Sequence, residues 1–274
     1  MLKQRVITAV IMMSAFLVIL FFAPWQVFAI ATALVFLVGA WEWGNLVGLS
    51  AIIPKILYCA SCILASAGLV WWLRSGLDST ALKNLLIFSS AWWGLAFLWL
   101  QAYPASAVFW KPKAVRLMMG WVVLIPAWVA SVALHSQENG PLLVLLCVLI
   151  IAGADVGAYF SGKAFGKRKL APEVSPGKSW EGLIGGLVFA VVVAVTYDFV
   201  FGQGQWQLMI GIAVPCALIS VVGDLFESML KRMRGIKDSG AILPGHGGVL
   251  DRIDGLVAGV PIFFLAVLMT NWHL

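Results

Sequence analysis

Residues 141–160, PLLVLLCVLIIAGADVGAYF, form an apolar stretch that a single carboxylate, Asp155, interrupts. About 20 consecutive apolar residues in a helix cross the hydrocarbon core of a bilayer, so this stretch predicts a transmembrane helix. Eight more stretches of this kind lie before and after it in the chain. The nine lie at roughly 6–22, 25–41, 52–73, 82–100, 116–134, 141–160, 180–200, 206–230 and 254–271.

The composition of the whole chain agrees with these stretches. Of its 274 residues, 62% are hydrophobic and 11% are charged, and the mean hydropathy is +0.99. Soluble domains carry about 25% charged residues, so a soluble globular protein and a disordered chain are both excluded. We therefore predict an all-α, polytopic integral membrane protein with about nine transmembrane helices. About five fall in an N-terminal part, 1–135, and about four in a C-terminal part, 136–274.

Basic residues are distributed unequally between the two sides of the predicted membrane. With nine spans, every Lys and Arg except Arg74 and Lys83 falls on one side. Cytoplasmic loops carry the excess of Lys and Arg, so that side is predicted to be cytoplasmic. The N-terminus and the loops 161–179 and 231–252 then face the cytoplasm, the C-terminus lies outside, and the cell (inner) membrane is the expected location. The net charge of +6 is explained by this topology and by anionic ligands, so no nucleic-acid partner is expected.

Acidic residues interrupt the apolar helices near their predicted cytoplasmic ends, at Asp155, Glu181, Asp224 and Glu227. A charge at the centre of a transmembrane helix costs about 2.5–3.5 kcal/mol on insertion scales, so such residues are functional candidates. Asp224 and Glu227 are three residues apart and share a helix face, as do Asp251 and Asp254. Carboxylates from two neighbouring helices suit a hard divalent cation such as Mg²⁺, which prefers oxygen ligands.

Two loops offer groups that bind phosphate. In the first, Lys178 and Ser179 follow a Pro-Gly turn at the start of a helix, whose N-terminus attracts anions. In the second, the backbone N–H groups around His246 are open to an anion because the neighbours are Gly245, Gly247 and Gly248. The flanks of this second loop carry the basic residues Lys231, Arg232, Lys237 and Arg252. The two loops together predict a phosphate-bearing ligand.

Each feature also has a structural interpretation. Asp251 and Asp254 suit the capping of a helix N-terminus, and the basic residues suit the anchoring of lipid headgroups. Gly177-Lys178-Ser179 imitates the end of a P-loop, but the upstream glycine is replaced by Pro172. Glu42 is interpreted as an anchor at the membrane interface, and the four cysteines as small buried residues. The density of acids, bases and glycines in the second loop favours chemistry.

Residues 228–254, SMLKRMRGIKDSGAILPGHGGVLDRID, resemble the signature of the phosphatidate cytidylyltransferase family, also known as CDP-diacylglycerol synthases. The shared positions are Ser, Lys-Arg, Lys-Asp, Pro-Gly-His-Gly-Gly and Asp-Arg-x-Asp, and the chain departs from none of them. The resemblance extends to 223–228, to Ala154-Asp155 and to 175–182. It is looser over the N-terminal third, where Trp41-Glu42-Trp43 carries it.

The resemblance implies transfer of CMP from CTP to phosphatidic acid, giving CDP-diacylglycerol and pyrophosphate at the cytoplasmic face. It further implies Mg²⁺, with room for a second cation, and makes a homodimer plausible. The residue roles are hypotheses. Asp224 and Asp251 bind the metal, with Asp155, Glu227 and Asp254 as further candidates near it. Lys178, Lys237 and Arg252 hold the triphosphate, Lys231 and Arg232 hold the phosphatidate headgroup, and His246 contacts a phosphate or only shapes its loop.

Three other classes compete with this interpretation. A transporter predicts acids near the bilayer midplane and inverted repeats, whereas these acids gather toward one face. Another lipid-phosphate enzyme, such as an alcohol phosphotransferase or a polyprenol kinase relative, shares the acids and basic loops but not the whole signature. A structural membrane subunit leaves the two polar loops unexplained.

Overall fold

Long helices make up most of the computed structural model, which describes residues 2–75, 79–202, 204–243, 245, 247–270 and 272. In chain order the helices are α1 (Leu2–Phe22), α2 (Trp25–Val47), α3 (Ile52–Ser75), α4 (Ser79–Gln101), the short α5 (Ala107–Trp110), α6 (Lys113–His135), α7 (Gly140–Phe165), α8 (Trp180–Phe201), α9 (Trp206–Arg234) and α10 (Leu250–Thr270). Two strands, β1 (Lys169–Ala171) and β2 (Ser175–Ser179), lie between α7 and α8.

Eight of these helices, all except α1 and α5, are long and apolar enough to cross a membrane. Helix α1 adds a shorter apolar stretch, Val6–Phe22. A stretch of about 17 residues is near the lower limit for spanning the hydrocarbon core. The prediction of an all-α, polytopic membrane protein with about nine transmembrane helices is confirmed. The count is eight or nine, depending on whether the short apolar stretch of α1 also crosses the membrane.

Several helices extend beyond their apolar stretches. Helix α2 continues to Val47, α7 to Phe165 and α9 to Arg234, and α10 begins already at Leu250. Hydropathy marks the part of a helix that contacts hydrocarbon, whereas the backbone hydrogen bonds continue into the polar surface layer. As a result, the polar residues of the predicted loop ends are helical, including Lys231 and Asp251.

The loop predicted at 161–179 forms a β-hairpin for much of its length. The predicted all-α fold therefore contains one small sheet. Strands β1 and β2 are antiparallel and pair Lys169 with Ser179 and Ala171 with Ser175. The strands are three and five residues long and largely polar, so no apolar alternation marked them in the sequence. Residues 161–165, the first part of the predicted loop, belong to α7.

Buried apolar side chains form two clusters at opposite ends of the helix bundle. One contains Trp43, Trp93 and Phe226 together with Val174 of the hairpin turn. The other contains Leu146, Met209 and Phe263, among others. Because successive long helices run in opposite directions, the first cluster gathers the C-terminal ends of α2, α4 and α9 and the N-terminal halves of α6 and α10. We term this the site end of the bundle.

Helices α7 and α8 approach each other through glycines. A Cβ atom at Gly157 would lie 2.6 Å from the Cβ of Phe189, and one at Gly186 would lie 2.7 Å from the carbonyl oxygen of Ala154. These glycines therefore serve helix packing, as small residues do where two membrane helices come close. This close contact aligns the end of α7 with the start of α8 beneath the hairpin.

The predicted boundary between 1–135 and 136–274 falls in the turn between α6 and α7. That turn ends at Asn139, which has a positive φ of 54°. Helix α10 of the second part packs against α2 and α6 of the first. The division into two parts stays a prediction, and the site described below depends on both.

Candidate active site

A cavity of about 400 Å³ lies at the site end, beneath the hairpin and between α7, α8 and α9. Its polar lining comes from Asp155 and Lys163 on α7, Lys178 and Ser179 on β2, and Asp224 on α9. Its apolar lining includes Tyr159, Leu170, Leu183 and Val221. The cavity combines charged groups with an apolar wall inside a membrane bundle, as a ligand with both a phosphate and a lipid portion requires.

An ion pair crosses this cavity from the hairpin to α9. The ammonium Nζ of Lys178 lies 2.5 Å from Oδ2 of Asp224. The sequence predicted a phosphate contact for Lys178 and a metal contact for Asp224, and the structure places the two side chains against each other. Asp155 lies within electrostatic range of this pair and of Arg252 on α10. The predicted residues on α7, β2, α9 and α10 therefore converge.

The hairpin is fixed to the helices on both sides of it. Ser179 is the N-cap of α8, and its Oγ accepts a hydrogen bond from Gly182 N at 3.1 Å. The carboxylate of Glu181 accepts hydrogen bonds from the backbone N–H groups of Lys167 and Arg168. From α9, Nε of Arg232 donates to the carbonyl oxygen of Val174 at 2.9 Å. Ser179 and Arg232, predicted to bind substrate, thus hold the hairpin over the cavity.

A second group of charges is buried between α9 and α10. The ammonium of Lys231 lies 3.1 Å from Oε2 of Glu227 and 2.7 Å from Oδ1 of Asp251. The side chain of Lys231 is 11% exposed and that of Asp251 is 7% exposed. Asp251 also accepts hydrogen bonds from the backbone N–H groups of Ser239 and Gly248 and from the Ser239 hydroxyl. Lys231 is therefore enclosed by carboxylates and does not extend toward the membrane surface.

Glu227 and Asp254 bring two carboxylates together. The two interact electrostatically, and Asp254 also interacts with Asp224. Oε1 of Glu227 is buried and has no hydrogen-bond partner among the described residues. Two carboxylates at this separation need a proton or a cation between them. Gly223 permits the contact of the two helices, because a Cβ there would lie 2.4 Å from the carbonyl oxygen of Asp254.

The acids do not form a preassembled metal cage. Within the part of the chain that the structure describes, no group of three or more His, Cys, Asp or Glu side chains is arranged to hold a metal ion. Asp224 faces Lys178 and Asp251 faces Lys231, so a lysine ammonium neutralises each of these carboxylates. Glu227 interacts electrostatically with Asp251, and Asp254 with Asp224, so these two acids connect the groups electrostatically.

The glycine loop between α9 and α10 has the backbone that its sequence suggested. Gly245 and Gly247 have φ values of 77° and 83°, in the left-handed region that glycine adopts without strain. The backbone N–H of Leu243 donates to the carbonyl oxygen of Gly247 at 3.0 Å, which closes the turn. His246 lies outside the described residues, and Lys237 lies exposed on the loop before it.

Glu42 and Ser239 belong to the site and were not predicted. Glu42 was interpreted as an anchor at the interface, but its side chain is fully buried and contacts the loop between α9 and α10. Its Oε1 accepts from Val249 N, and its Oε2 accepts from Leu250 N. The sequence does contain a signal for a buried role of Glu42, which is its position as an isolated acid between two tryptophans. A carboxylate in an apolar helix needs hydrogen-bond donors from elsewhere in the protein.

The fold and the site together define a polytopic membrane protein with an ionic pocket at one end of its helix bundle. Residues 3–270 match the model of the cytidylyltransferase family. The phosphatidate cytidylyltransferase of Haemophilus influenzae is 44% identical over 284 residues, which cover 96% of this chain and 97% of the relative. That of Pseudomonas aeruginosa is 40% identical over 99% of both chains. The phosphatidate cytidylyltransferase of Brucella suis is 42% identical over 47% of this chain and 48% of its own.

The chain belongs to the cytidylyltransferase family. Within that family, its full-length similarity is to the phosphatidate cytidylyltransferases, and the resemblance stated from residues 228–254 is confirmed.

Proposed function

We propose that this chain transfers the CMP group of CTP to phosphatidic acid, giving CDP-diacylglycerol and pyrophosphate. The observation that carries the proposal is the pocket at the site end, where Lys178 and Asp224 meet beside an apolar wall in a chain that matches the cytidylyltransferase family over residues 3–270. One substrate is a lipid and the other a polyanion. A site for both belongs at the surface of a membrane bundle.

The reaction needs positioning and charge neutralisation. A phosphate oxygen of phosphatidic acid attacks the α-phosphorus of CTP, and a new P–O bond forms. The bond from the α-phosphorus to the bridging oxygen breaks, and pyrophosphate leaves with that electron pair. The attacking phosphate is already ionised at neutral pH, because its second pKa is about 6. No strong general base is required, and the residues act by orienting the two phosphates and neutralising their charge.

The pocket residues divide this work. Lys178 leaves Asp224 and binds triphosphate oxygens, assisted by Lys237, Arg252 and the N–H groups of the glycine loop. Lys231 and Arg232 were predicted to hold the phosphatidate headgroup, but both side chains bind partners within the protein. Lys231 neutralises Glu227 and Asp251, and Arg232 holds the hairpin through Val174. We propose that both act on the headgroup only through the loops that they fix.

Mg²⁺ fits the donor set of the site. One or two of the carboxylates of Asp224, Glu227 and Asp254, with Asp155 near them, would hold it together with phosphate oxygens of CTP, which agrees with the lack of a three-acid cage among the described residues. Asp251 could bind the metal only after its ion pair with Lys231 breaks. Carboxylate oxygens are the ligands that Mg²⁺ prefers. When bound, the metal supplies charge neutralisation of the triphosphate. A second cation also stays a proposal.

The orientation in the membrane is part of the proposal. The basic residues of the hairpin and of the loop between α9 and α10 favour a cytoplasmic site end, and with it the cell (inner) membrane as location. CTP is a cytoplasmic metabolite, so this orientation brings the pocket to its substrate. A homodimer likewise stays a prediction.

The experiment is a pyrophosphate-release assay on the purified chain in detergent. Pyrophosphate should appear from CTP only when phosphatidic acid is added, and CDP-diacylglycerol should form in equal amount. Pyrophosphate release without the lipid, or consumption of phosphatidic acid without pyrophosphate, would contradict the proposal. Omitting divalent cations in a parallel sample tests the metal separately.

A further inference from the structure

The carboxylate of Glu42 is the most deeply buried acid near the active site. Glu42 lies on α2, a helix that supplies no wall of the cavity beneath the hairpin, and its side chain is 0% exposed. Burying a carboxylate in an apolar bundle costs several kcal/mol unless donors replace the lost water. The donors come from residues more than 190 positions away in the sequence.

Three hydrogen bonds join this carboxylate to the glycine loop and to the start of α10. Oε1 accepts from Val249 N at 3.1 Å, and Oε2 accepts from Leu250 N at 2.7 Å and from Ser239 Oγ at 3.3 Å. The N-terminus of a helix leaves its first N–H groups without partners inside the helix. Glu42 therefore caps α10 from another helix.

The loop backbone encloses the carboxylate from two sides. A Cβ atom at Gly240 would lie 2.1 Å from Oε1 of Glu42, and one at Gly248 would lie 2.6 Å from Oε2. Glycine is required at both positions for the backbone to come this close. From the same face of α2, Nδ2 of Asn45 donates to the carbonyl oxygen of Ser239 at 3.0 Å. The C-terminal part of α2 thus contacts both ends of the loop, at residues 239–240 and 248–250.

The same contacts reach Asp251. The hydroxyl of Ser239 lies between the carboxylates of Glu42 and Asp251, 3.0 Å from Oδ2 of Asp251. Gly248, which packs on Glu42, donates its N–H to the same Oδ2 at 2.8 Å. Asp251 in turn binds Lys231. The placement of Asp251 and of the glycine N–H groups therefore depends on Glu42.

We propose that Glu42 is a positioning residue for cytidylyl transfer, and this inference rests on the proposed function. From α2 it fixes residues 239–240 and 248–250, so that Asp251 is held in the reactive geometry for the triphosphate. The competing role is a helix cap that contributes to stability alone.

The test is Glu42→Gln, which keeps the shape and places an NH₂ group against one of the backbone donors. Misplacement of about 1 Å costs about 100-fold in rate, so kcat should fall by about 100-fold with the KM for phosphatidic acid little changed. The matched control is Asp198→Asn. Asp198 is also 0% exposed and accepts from Trp272 Nε1 at the opposite end of the bundle, so its loss should leave kcat unchanged.

If Glu42→Gln unfolds at a lower temperature in detergent but keeps the wild-type kcat, Glu42 only caps the helix, and the inference is overturned. If Glu42→Gln does not fold, Ser239→Ala takes its place, since it removes only the hydroxyl between the two carboxylates. Folded Ser239→Ala with wild-type kcat would then overturn it. Asp251→Asn in the same assay separates the two proposals. An active Asp251→Asn contradicts the proposed site, whereas an inactive one beside fully active Glu42 and Ser239 variants contradicts only the positioning role.

Discussion

The ammonium of Lys178 lies 2.5 Å from a carboxylate oxygen of Asp224, so the hairpin before α8 is tied to the helix that carries the acids. Each charge neutralises the other across the pocket. A triphosphate and its cation would replace this pair by two new ones, phosphate with Lys178 and cation with Asp224. Under the proposed function, the two residues would therefore exchange each other for the two parts of the ligand.

Lys178→Ala should weaken the apparent affinity for CTP more than that for phosphatidic acid. A hydrogen bond to a charged group contributes about 1.5–3 kcal/mol, so the KM for CTP should rise by about tenfold or more. Steady-state kinetics with each substrate varied in turn measures both values. Lys169→Ala, on the other strand of the same hairpin and outside the pocket lining, is the matched control. A shift in the lipid dependence alone would mean that the two loops have exchanged roles.

Asp224→Asn and Asp251→Asn should each abolish turnover while the protein still inserts and purifies. Asparagine keeps the shape of the side chain and removes the charge that a cation or a lysine requires. Excess Mg²⁺ should not restore activity, and the double variant should be hardly worse than either single one, because residues that act as a unit are not additive. Robust activity of one variant at ordinary Mg²⁺ would remove that residue from the site.

Lys231→Met should destabilise the protein as well as inactivate it. The substitution leaves Glu227 and Asp251 buried without their shared cation, and breaking a buried ion pair costs about 3–5 kcal/mol. A fall of about 10 °C in the unfolding temperature in detergent is expected. Lys111→Met, at an exposed lysine on the same end of the bundle, should leave that temperature unchanged. An unchanged unfolding temperature with a raised KM for phosphatidic acid would instead support the headgroup role.

A reporter that is active only in the cytoplasm should be silent when fused after Leu274 and active when fused after Ile236, between α9 and α10. The two positions flank a single helix long enough to cross the membrane, so opposite signals are expected. The fusion at 236 is the control for expression. A bright signal after Leu274 with a silent one after Ile236 would reverse the orientation, and bright signals at both positions would mean that α10 does not cross the membrane.

The membrane helices could be predicted from the sequence because hydrocarbon imposes one simple requirement on them. About 20 apolar residues must form a helix, since the bilayer core offers no other hydrogen-bond partners for the backbone. The predicted spans ended too early for α2 and α9 and began too late for α10. Hydropathy does not mark these ends, because a helix in the polar surface layer need not be apolar. The hairpin at Lys169–Ser179 was missed for the same reason: it is short, polar and outside the hydrocarbon.

The acids of the site were predicted as candidates, but their partners were not. Asp224, Asp251 and Lys231 were conspicuous because charges are rare in such a chain. Their pairing depends on how α9, α10 and the hairpin pack, and three-residue spacing gives no information on that packing. Glu42 was assigned to the interface because its donors, on Val249 and Leu250, are backbone groups of a distant segment. Backbone donors leave no trace in side-chain patterns.

The most direct test follows the phosphates of CTP through the reaction. With wild-type protein and phosphatidic acid, label at the α-phosphorus should enter the lipid extract, and label at the γ-phosphorus should stay in the aqueous phase as pyrophosphate. Asp224→Asn should transfer neither label. Appearance of the γ-label in the lipid would indicate a kinase instead of a cytidylyltransferase, and transfer of the α-label by Asp224→Asn at the wild-type rate would contradict the site described here.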